Sequence, residues 1–311
     1  MSDARSGPAR LAVFVMVVTP LFFSTNLVFG RGVIGEVSPF TLAFLRWLAV
    51  AAALSPFMAL DRAALRQVLA RNAGLVLLLA FLGMWICGGI VYLGLQWTTA
   101  TNGTLIMTSS PVIILLMEAV FAGRRIGARE ALGAAVAFLG IAVIVLRGEP
   151  SALLSLSFNA GDLLLVSGAV AWSLYSILFR SPDLKQASNA AMLGLLAAAG
   201  AAMLLPVALY EWASGGRMPV TADAWSGIAG IVAYSSLLAF SGYQFGVRQL
   251  GPTLASVFMY LMPAYGVLLA VLLLGEKLMP FHLAGIALVM GGVVLATFPA
   301  AWLRQVLRPR S

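Results

Sequence analysis

Residues 74–96 read GLVLLLAFLGMWICGGIVYLGLQ and contain no charged side chain. An α-helix rises about 1.5 Å per residue, so a run of this length crosses the roughly 30 Å of hydrocarbon in a bilayer. Barrel strands would alternate polar and apolar residues, and this run does not alternate. Because backbone groups in lipid need partners within the chain, the segment predicts a membrane-spanning helix.

The whole chain has the composition of a protein embedded in lipid. Of its 311 residues, 61% are hydrophobic and 10% are charged, and its mean hydropathy is +1.00. Soluble domains carry about a quarter charged residues. The net charge of +8 would also suit nucleic acid or anionic lipid, but the placement of the charges favours a role in orienting the protein in a membrane.

Apolar runs of similar length recur and predict an all-α bundle of ten spans. Arg5 and Arg10 precede the first run as in a signal peptide, but the run is long and lacks a small-x-small cleavage site, so we interpret it as a span. The expected bounds are 11–30, 39–59, 74–96, 100–122, 127–146, 161–179, 190–210, 225–246, 253–274 and 280–302.

The positive charges predict the orientation of this bundle. With the N-terminus in the cytoplasm, the inner segments hold 14 Lys and Arg residues and the outer segments hold 4. Cytoplasmic loops of membrane proteins carry such an excess, so we expect both termini in the cytoplasm. A missed or invented span would exchange the inner and outer sides of every later segment and reduce the difference between 14 and 4 positive charges. The large difference therefore favours the count of ten.

An internal repeat relates the two halves of the chain. A shift of 152 residues places Pro111 on Pro263 and Gly140 on Gly292. Prolines and glycines at fixed spacing mark backbone geometry. Five spans per copy is an odd number, so the second copy must enter the membrane from the opposite side. Inverted repeats suit alternating access around a site at the middle of the membrane.

Three stretches carry a resemblance to a known family. They are SPFTLAFLRW at 38–47, SSPVIILLMEAVFAGRRIGAREALGAAVAFLGIAVI at 109–144 and MPAYGVLLAVLLLGEKLMPFHLAGIALVMGGVVL at 262–295. The chain resembles the EamA type of the drug/metabolite transporter superfamily. Within that superfamily, it is similar to bacterial exporters of aromatic and other neutral amino acids.

The resemblance implies an architecture and a location. Residues 1–150 and 151–311 would each form one EamA-type repeat of five helices, and the two inverted repeats would surround a central cavity. Helices 1, 3, 4, 6, 8 and 9 would line most of that cavity. The implied location is the inner (plasma) membrane of a bacterium, and the implied activity is outward transport of metabolites.

Aromatic side chains near the middle of the predicted spans indicate a binding pocket. Trp85 and Trp172 lie near the centres of the third and sixth spans, and Tyr260 and Tyr265 flank Pro263 in the ninth. An indole or phenol at this depth needs a hydrogen-bond partner, which a polar cavity would provide. Such rings would stack on a flat substrate or cover an ammonium group. Helix packing with an internal hydrogen bond is the alternative interpretation.

Small polar residues supply a second layer of the predicted site, although serine and threonine also bond to their own helix. The predicted hinges are Pro20, Pro111 and Pro263, each of which is otherwise a tolerated bend. The predicted substrate-binding residues are Phe23, Asn26, Trp85, Tyr92, Asn102, Thr108, Trp172, Tyr234, Ser241, Gln244, Tyr260 and Tyr265.

Two charged residues lie inside predicted spans, where charge is costly and a functional role is the first hypothesis. Arg46 lies about 10 Å into the second span. It would draw an anion or pair within the fold. We favour a structural role, because the family motif places an arginine there, on a helix not expected to line the cavity. Glu118 lies near the cytoplasmic end of the fourth span, where an ion pair with Arg124 or Arg125 is favoured over a proton relay.

These observations predict a secondary transporter that exports small metabolites, most specifically aromatic and other neutral amino acids. No phosphate-binding loop for ATP occurs, and the scarcity of acids in the spans makes a facilitator at least as well supported as a proton antiporter. A different metabolite or drug class, proton-coupled export, and a channel or membrane scaffold stay open as alternatives.

Other classes of function are disfavoured. A membrane enzyme would need a HExxH motif, paired aspartates in the membrane or a Ser/His pair, and the sequence has none of these. With one histidine and one cysteine, we expect no metal site and no cofactor. The expected partners are a small-molecule substrate and membrane lipid, without nucleic acid, and the oligomeric state stays open.

Overall fold

The computed structural model of this chain is helical throughout its regular structure. No strand occurs among the residues that the structure describes, and a short 3-10 helix spans Pro182–Gln186. The described residues are 6–33, 35–98, 100–121, 123, 125–149, 151, 154, 159–274 and 277–297.

The helices follow one another with short connections. In chain order they are α1 (Ser6–Val33), α2 (Pro39–Leu60), α3 (Arg62–Gly94), α4 (Ala100–Met107 and Ser110–Phe121), α5 (Ala128–Val145), α6 (Ala160–Phe179), α7 (Asn189–Ala213), α8 (Ala222–Leu250), α9 (Pro252–Phe258 and Leu261–Leu274) and α10 (Pro280–Thr297).

Seven of these helices are long and apolar enough to cross a membrane in the described part of the chain. They are α2, α3, α5, α6, α7, α8 and the portion of α9 over Pro252–Leu269. Shorter apolar helical stretches lie in α1, α4 and α10.

Helix α3 begins earlier than the apolar run predicts. The segment that follows Arg62 is helical, with Leu65 and Val68 buried, and its arginines are exposed. Asn72 has φ −137° and ψ 31°, so a kink separates this amphipathic segment from the apolar run. The hydropathy of the run therefore marks where the membrane-spanning part begins, and not where the helix begins.

Local sequence fixes several helix starts. Asn159 and Asp162 form a capping box at α6, in which the Asn159 side chain accepts from the Asp162 amide at 3.1 Å. Ser188 caps α7, and its own amide donates to Asp61 Oδ2 at 2.8 Å across the bundle. The hydrogen bonds from the Ser188 side chain and amide lower the pKa of the Asp61 carboxyl group. The connection after α2 is thus joined to the start of α7.

Helices α4 and α9 are each interrupted just before a proline. The break in α4 precedes Pro111, and the break in α9 precedes Pro263. Proline lacks the amide that the helix needs and crowds the carbonyl four residues earlier. At the second break, the Tyr260 amide donates instead to the Val257 carbonyl, in a tighter turn. The third predicted hinge, Pro20, lies inside the continuous helix α1.

Two other helices widen in their middle parts. Residues Phe81–Ile90 of α3 and Ile231–Leu238 of α8 are π-helical. A π-helix bonds each carbonyl to the amide five residues later, and such segments are frequently found at functional sites. These two segments occupy similar positions in the two halves of the chain, and Cys87 in the first of them lines the cavity described below.

The contacts between helices follow one scheme in both halves. Helix α5 packs along α10, and α2 packs along α7. Helix α1 packs against α8 and α9, and α6 packs in the same way against α3 and α4. Exchanging the first five helices for the last five leaves this scheme unchanged.

The α5–α10 pair depends on glycine. A Cβ atom added to Gly140 would lie 2.7 Å from the Gly285 carbonyl oxygen, and one added to Gly285 would lie 2.8 Å from the Gly140 carbonyl oxygen. The two backbones are therefore in direct contact, as small residues allow between membrane helices.

We predict that Gly140→Ala destabilises the protein, because the added methyl group meets backbone rather than a movable side chain. Overpacking of this kind costs about 1–3 kcal/mol. Thermal unfolding of the purified protein in detergent, followed by tryptophan fluorescence, measures the change in apparent Tm. The matched control is Gly291→Ala on α10, where nothing lies within 4 Å of the added atom. Equal Tm values for the two variants would contradict the backbone contact.

Candidate solute-binding cavity

A cavity of about 580 Å³ lies between the two halves of the bundle. Pockets that bind small molecules have volumes of about 300–1,000 Å³. Its wall receives side chains from helices of both halves, and most of the groups that line it are apolar. The space is therefore large enough for a solute of the size of an amino acid.

The cavity extends from the middle of the bundle toward one end. That end, called here the His282 end, is marked by His282 at the start of α10 and by Ile144 and Val145 at the close of α5. The deepest wall contains Phe240 and Ser256. The opposite end of the bundle contributes no residue to the described wall.

Aromatic rings form one wall of the cavity. Trp172 on α6 meets the edge of Phe23 on α1 with ring centroids 5.9 Å apart, and it meets Phe240 on α8 at 5.4 Å. Tyr243 supports the Trp172 ring from behind at 4.8 Å. We call Phe23, Trp172, Phe240 and Tyr243 the aromatic cluster. Three helices hold it, and its first three members face the cavity.

Two polar oxygens beside the cavity lack a partner. Asn26 Oδ1 and the Tyr260 hydroxyl are buried, and neither has a hydrogen bond within the part of the chain that the structure describes. Both residues line the cavity. Buried polar atoms are nearly always hydrogen-bonded, so these two unpartnered oxygens mark a polar part of the cavity lining.

Arg46 on α2 also lines the cavity, although the resemblance did not place its helix there. Its Nε donates to Ser236 Oγ at 2.6 Å, and its Nη1 donates to the Tyr92 hydroxyl at 2.8 Å. Its Nη2 donates to the Ser235 carbonyl at 3.4 Å. The guanidinium also stacks over Trp47, 4.8 Å from the ring centroid. Arg46 thus has internal bonds and, in addition, a place in the cavity wall.

Glu118 closes the bundle at the opposite end, called here the Glu118 end. Its carboxylate accepts a hydrogen bond from Thr253 Oγ1 on α9, and its Oε1 lies 3.6 Å from Arg180 Nη1 after α6. The sequence predicted an ion pair for Glu118 but did not indicate this partner. Of the two expected partners, Arg124 lies outside the described residues. The contact joins α4, α6 and α9 below the cavity.

The cavity gathers eight of the predicted substrate-binding and hinge residues. They are Phe23, Asn26, Tyr92, Thr108, Trp172 and Tyr260, with the prolines Pro111 and Pro263. Thr108 donates its hydroxyl to the Thr104 carbonyl at 2.6 Å.

The other predicted residues lie away from the cavity wall. Trp85 packs between Phe40 and Phe81, with centroids at 5.7 and 5.1 Å. Tyr234 is 42% exposed and stacks on Phe29 at 5.6 Å.

Two further predicted residues have hydrogen bonds within the helix bundle. Gln244 Nε2 donates to the Tyr175 hydroxyl at 2.7 Å behind the aromatic cluster. The Tyr265 hydroxyl donates to the Val17 carbonyl at 2.9 Å. Ser241 and Pro20 do not line the cavity. The side chain of Asn102 lies outside the described residues.

The sequence did not single out Trp47 or Phe240, which line the cavity beside Arg46. Trp47 directly follows Arg46 inside an apolar run. A cation next to an aromatic ring at that depth in a membrane span is a pattern that could have indicated Trp47 as a residue of the site. Among the described residues, no group of three or more His, Cys, Asp or Glu side chains is placed to hold a metal ion.

Apolar helices long enough to cross a membrane, enclosing a cavity between two halves, define a multi-pass membrane protein. The family model described as the EamA-like transporter family matches residues 10–146 and again residues 159–298. The chain belongs to this family, and it is therefore a transporter rather than an enzyme.

Three relatives show how far the similarity extends. An uncharacterized transporter of Bacillus subtilis (strain 168), YyaM, is 23% identical over 93% of this chain and 94% of its own. An uncharacterized transporter of Archaeoglobus fulgidus is 27% identical over 91% of this chain and 96% of its own. A probable terminal-alkyne amino-acid exporter of Streptantibioticus cattleyicolor is 27% identical over 74% of this chain and 75% of its own.

The fold is also found among solved structures. One crystal structure, described only as that of a protein, matches with a TM-score of 0.71 and 18% sequence identity. The match covers 96% of this chain and 99% of the other. At this identity the match shows a shared fold.

We predict that Thr253→Val loosens the closure at the Glu118 end, because the Glu118 carboxylate loses a buried hydrogen bond between α4 and α9. A cysteine placed at Met107 in the cavity wall, in a Cys87→Ala background, reports access. Its reaction with a membrane-impermeant maleimide, added from the side that the Glu118 end faces, should become several-fold faster.

The control is Thr41→Val. Thr41 Oγ1 donates to Glu211 Oε2 at 2.8 Å, which is the same kind of bond between α2 and α7, away from the cavity. If both variants change the labelling rate equally, or neither does, the Thr253–Glu118 bond does not control access.

Proposed function

We propose that this transporter exports aromatic and other neutral amino acids by alternating access, without ATP. The observation that carries the proposal is the composition of the cavity lining, in which three rings of the aromatic cluster lie together with Asn26 and Tyr260, two residues whose buried oxygens are unpartnered. An aromatic amino acid has a flat ring that would pack against the aromatic cluster and an ammonium group that would bond to the oxygens of Asn26 and Tyr260.

The aromatic cluster suits the side chain of such a solute. A ring that packs against Trp172, Phe23 or Phe240 gains about 0.5–1.5 kcal/mol from each aromatic contact, beyond the burial of its surface. The same faces attract a cation, so an ammonium group is also favoured near them. An aliphatic side chain would gain only from the burial of its surface, so neutral amino acids with aliphatic side chains would bind more weakly than aromatic ones.

The polar oxygens suit the ammonium group. Asn26 Oδ1 is an acceptor, and the Tyr260 hydroxyl both accepts and donates. A bound ammonium group would give each of these oxygens the partner that it lacks. A purely apolar drug would leave both unsatisfied, at a cost of about 1–3 kcal/mol for each buried group.

Several features support an alternating-access mechanism built on ten spans. The family model matches the chain twice, the helix contacts are the same after the halves are exchanged, and the π-helical segments fall at similar positions. We infer that residues 1–150 and 151–311 are two inverted five-helix repeats. The breaks before Pro111 and Pro263 are then the hinges at which the two halves bend.

The charges near the cavity support facilitated transport. Among the described residues that line the cavity, none is Asp or Glu. Glu118 is held by Thr253 and Arg180 at the closed end. Proton relays in transporters are built from Asp, Glu or His, and His282 at the His282 end is the one such residue among the described lining residues, so the gradient of the amino acid itself is the proposed driving force.

One relative adds to the case for amino acids. The Streptantibioticus cattleyicolor protein is named a probable terminal-alkyne amino-acid exporter. An alkyne is a linear, apolar group with π electrons, which also suits a pocket with aromatic walls. We therefore take the direction of transport as outward.

The proposed location is the bacterial inner membrane, with both termini in the cytoplasm. We predict that a cysteine at Ser181, between α6 and α7, is labelled from the cytoplasmic side by an impermeant maleimide. A cysteine at Ser214, an exposed residue between α7 and α8, should be labelled from the opposite side. Both are made in a Cys87→Ala background and tested in right-side-out and inverted vesicles. Reversed labelling would contradict the orientation, and labelling of both from one side would contradict the span between them.

We predict saturable uptake of phenylalanine and tryptophan by proteoliposomes that contain the purified protein, independent of a pH gradient. Trp172→Leu removes an aromatic face from the cavity wall and should weaken the apparent affinity about 2–10-fold, as expected for one aromatic contact. Trp85→Leu is the matched control, because Trp85 packs outside the cavity and its loss should leave the affinity unchanged.

The same assay includes nucleosides and cationic drugs. Uptake confined to one of those classes would overturn the amino acid proposal. Acceleration by a pH gradient would overturn the facilitative mechanism while keeping the substrate.

A further inference from the structure

We propose that Arg46 binds the carboxylate of the transported solute, so that the cavity selects molecules that carry an anionic group next to a ring. This inference rests on the proposed function, because it assigns a substrate group within the same cavity. It adds a requirement that the aromatic cluster alone does not impose.

Arg46 carries a buried charge for which the described part of the chain provides no counterion. Its side chain is 5% exposed, and no described carboxylate forms an ion pair with it. Its partners are a serine hydroxyl, a tyrosine hydroxyl and a backbone carbonyl, all of them neutral. Buried charges in proteins are normally paired, and charges within membrane spans face a partner or a cavity. The missing negative charge is the first sign of an anionic ligand.

The guanidinium also has donors to spare. Arginine has five N–H donors, and the contacts of Arg46 use three of them. One N–H group on each terminal nitrogen therefore has no partner among the described residues. Two such groups match the two oxygens of a carboxylate in a bidentate pair.

The orientation of Arg46 is fixed before any ligand binds. Ser236 lies in the π-helical segment of α8, and Tyr92 follows the π-helical segment of α3. Their hydroxyl groups hold Nε and Nη1, and the Trp47 ring supports one face of the guanidinium. Binding a carboxylate would therefore cost little side-chain entropy, since the arginine does not need to become ordered.

The spacing suits a solute with a ring and a carboxylate. The Arg46 guanidinium carbon lies 5.8 Å from the Phe240 ring centroid, and Phe240 lies 5.4 Å from Trp172. Phe240 thus joins the cation to the aromatic cluster. A ring placed against this cluster would carry its carboxylate toward Arg46 and its ammonium group toward the unpartnered oxygens.

A second arginine, half-buried, makes its hydrogen bonds away from the cavity. Arg248 on α8 donates to the Ala187 carbonyl at 3.0 Å and to the Leu184 carbonyl at 2.9 Å, and it stacks on Phe179. It ties α8 to the connection before α7 and does not line the cavity. Arg46 has one long carbonyl contact and lines the cavity. We therefore assign a structural role to Arg248 and a binding role to Arg46.

The first experiment uses the wild-type protein and needs no variant to fold. Thermal stabilisation in detergent is measured with 3-phenylpropionate, 3-phenylpropionamide, phenylalanine, phenylalaninamide and phenethylamine. We expect each carboxylate to bind at least tenfold more tightly than its amide or the amine. If the amides and the amine bind as well as the carboxylates, or if no carboxylate binds, the inference is overturned.

The second experiment compares variants with the same compounds. Arg46→Gln should remove the preference for carboxylate over amide, and Arg46→Lys should keep the preference with weaker binding, because a lysine cannot form the bidentate pair. Arg248→Gln is the matched control and should keep the full preference. A preference that survives in Arg46→Gln overturns the inference. If Arg46→Gln does not fold, the binding of the same compounds to Arg46→Lys and to the wild-type protein tests the inference.

Transport separates this inference from the proposed function. Uptake of phenylalanine with equal competition by phenylalaninamide would leave the amino acid exporter standing and remove the role of Arg46. Selective binding of 3-phenylpropionate without uptake of any amino acid would keep the role of Arg46 and overturn the amino acid exporter.

Discussion

Hydrocarbon offers no hydrogen-bond partner to a peptide group, and this constraint governs where the backbone of this protein can depart from a regular α-helix. The breaks in α4 and α9 and Cys87 in the π-helical segment of α3 lie at the cavity, and the π-helical segment of α8 places Ser236 against Arg46 in the cavity lining. There, side chains such as that of Ser236, which bonds to the Ile231 carbonyl at 3.0 Å, supply the missing partners. The irregular backbone and the solute site are therefore found together for one physical reason.

Much of the fold follows from the sequence because lipid makes the constraint so simple. An apolar run specifies a helix, its length specifies a crossing, and the start of α2 at Pro39 agrees with the predicted bound. The family resemblance on the Ser38–Trp47 motif and its companions is confirmed by a family match in both halves. The start of α3 is different, because Leu65 and Val68 extend the helix through an amphipathic segment that hydropathy does not mark.

The candidate site is less predictable, since hydropathy gives the depth of a residue but not the direction in which it points. Trp85 and Trp172 are equally central in their spans, yet only Trp172 faces the cavity. Arg46 was interpreted as structural because its helix was not expected at the cavity, and the structure places its guanidinium in the wall. The π-helical segment of α8 supplies two of the hydrogen-bond partners of Arg46, and no pattern in the sequence predicted that segment.

The reciprocal contact of Gly140 with Gly285 has the form of a two-fold symmetric dimer interface, in which each surface meets its own copy. A five-helix ancestor able to insert in both orientations would already carry both sides of this interface. In such a dimer, every substitution in the cavity would occur twice. In the proposed inverted repeat, one chain carries both halves and is released from that symmetry, and the residue 152 positions after Arg46 is Ala198. The two halves can then differ at the cavity, with a cation at one position and alanine at its counterpart.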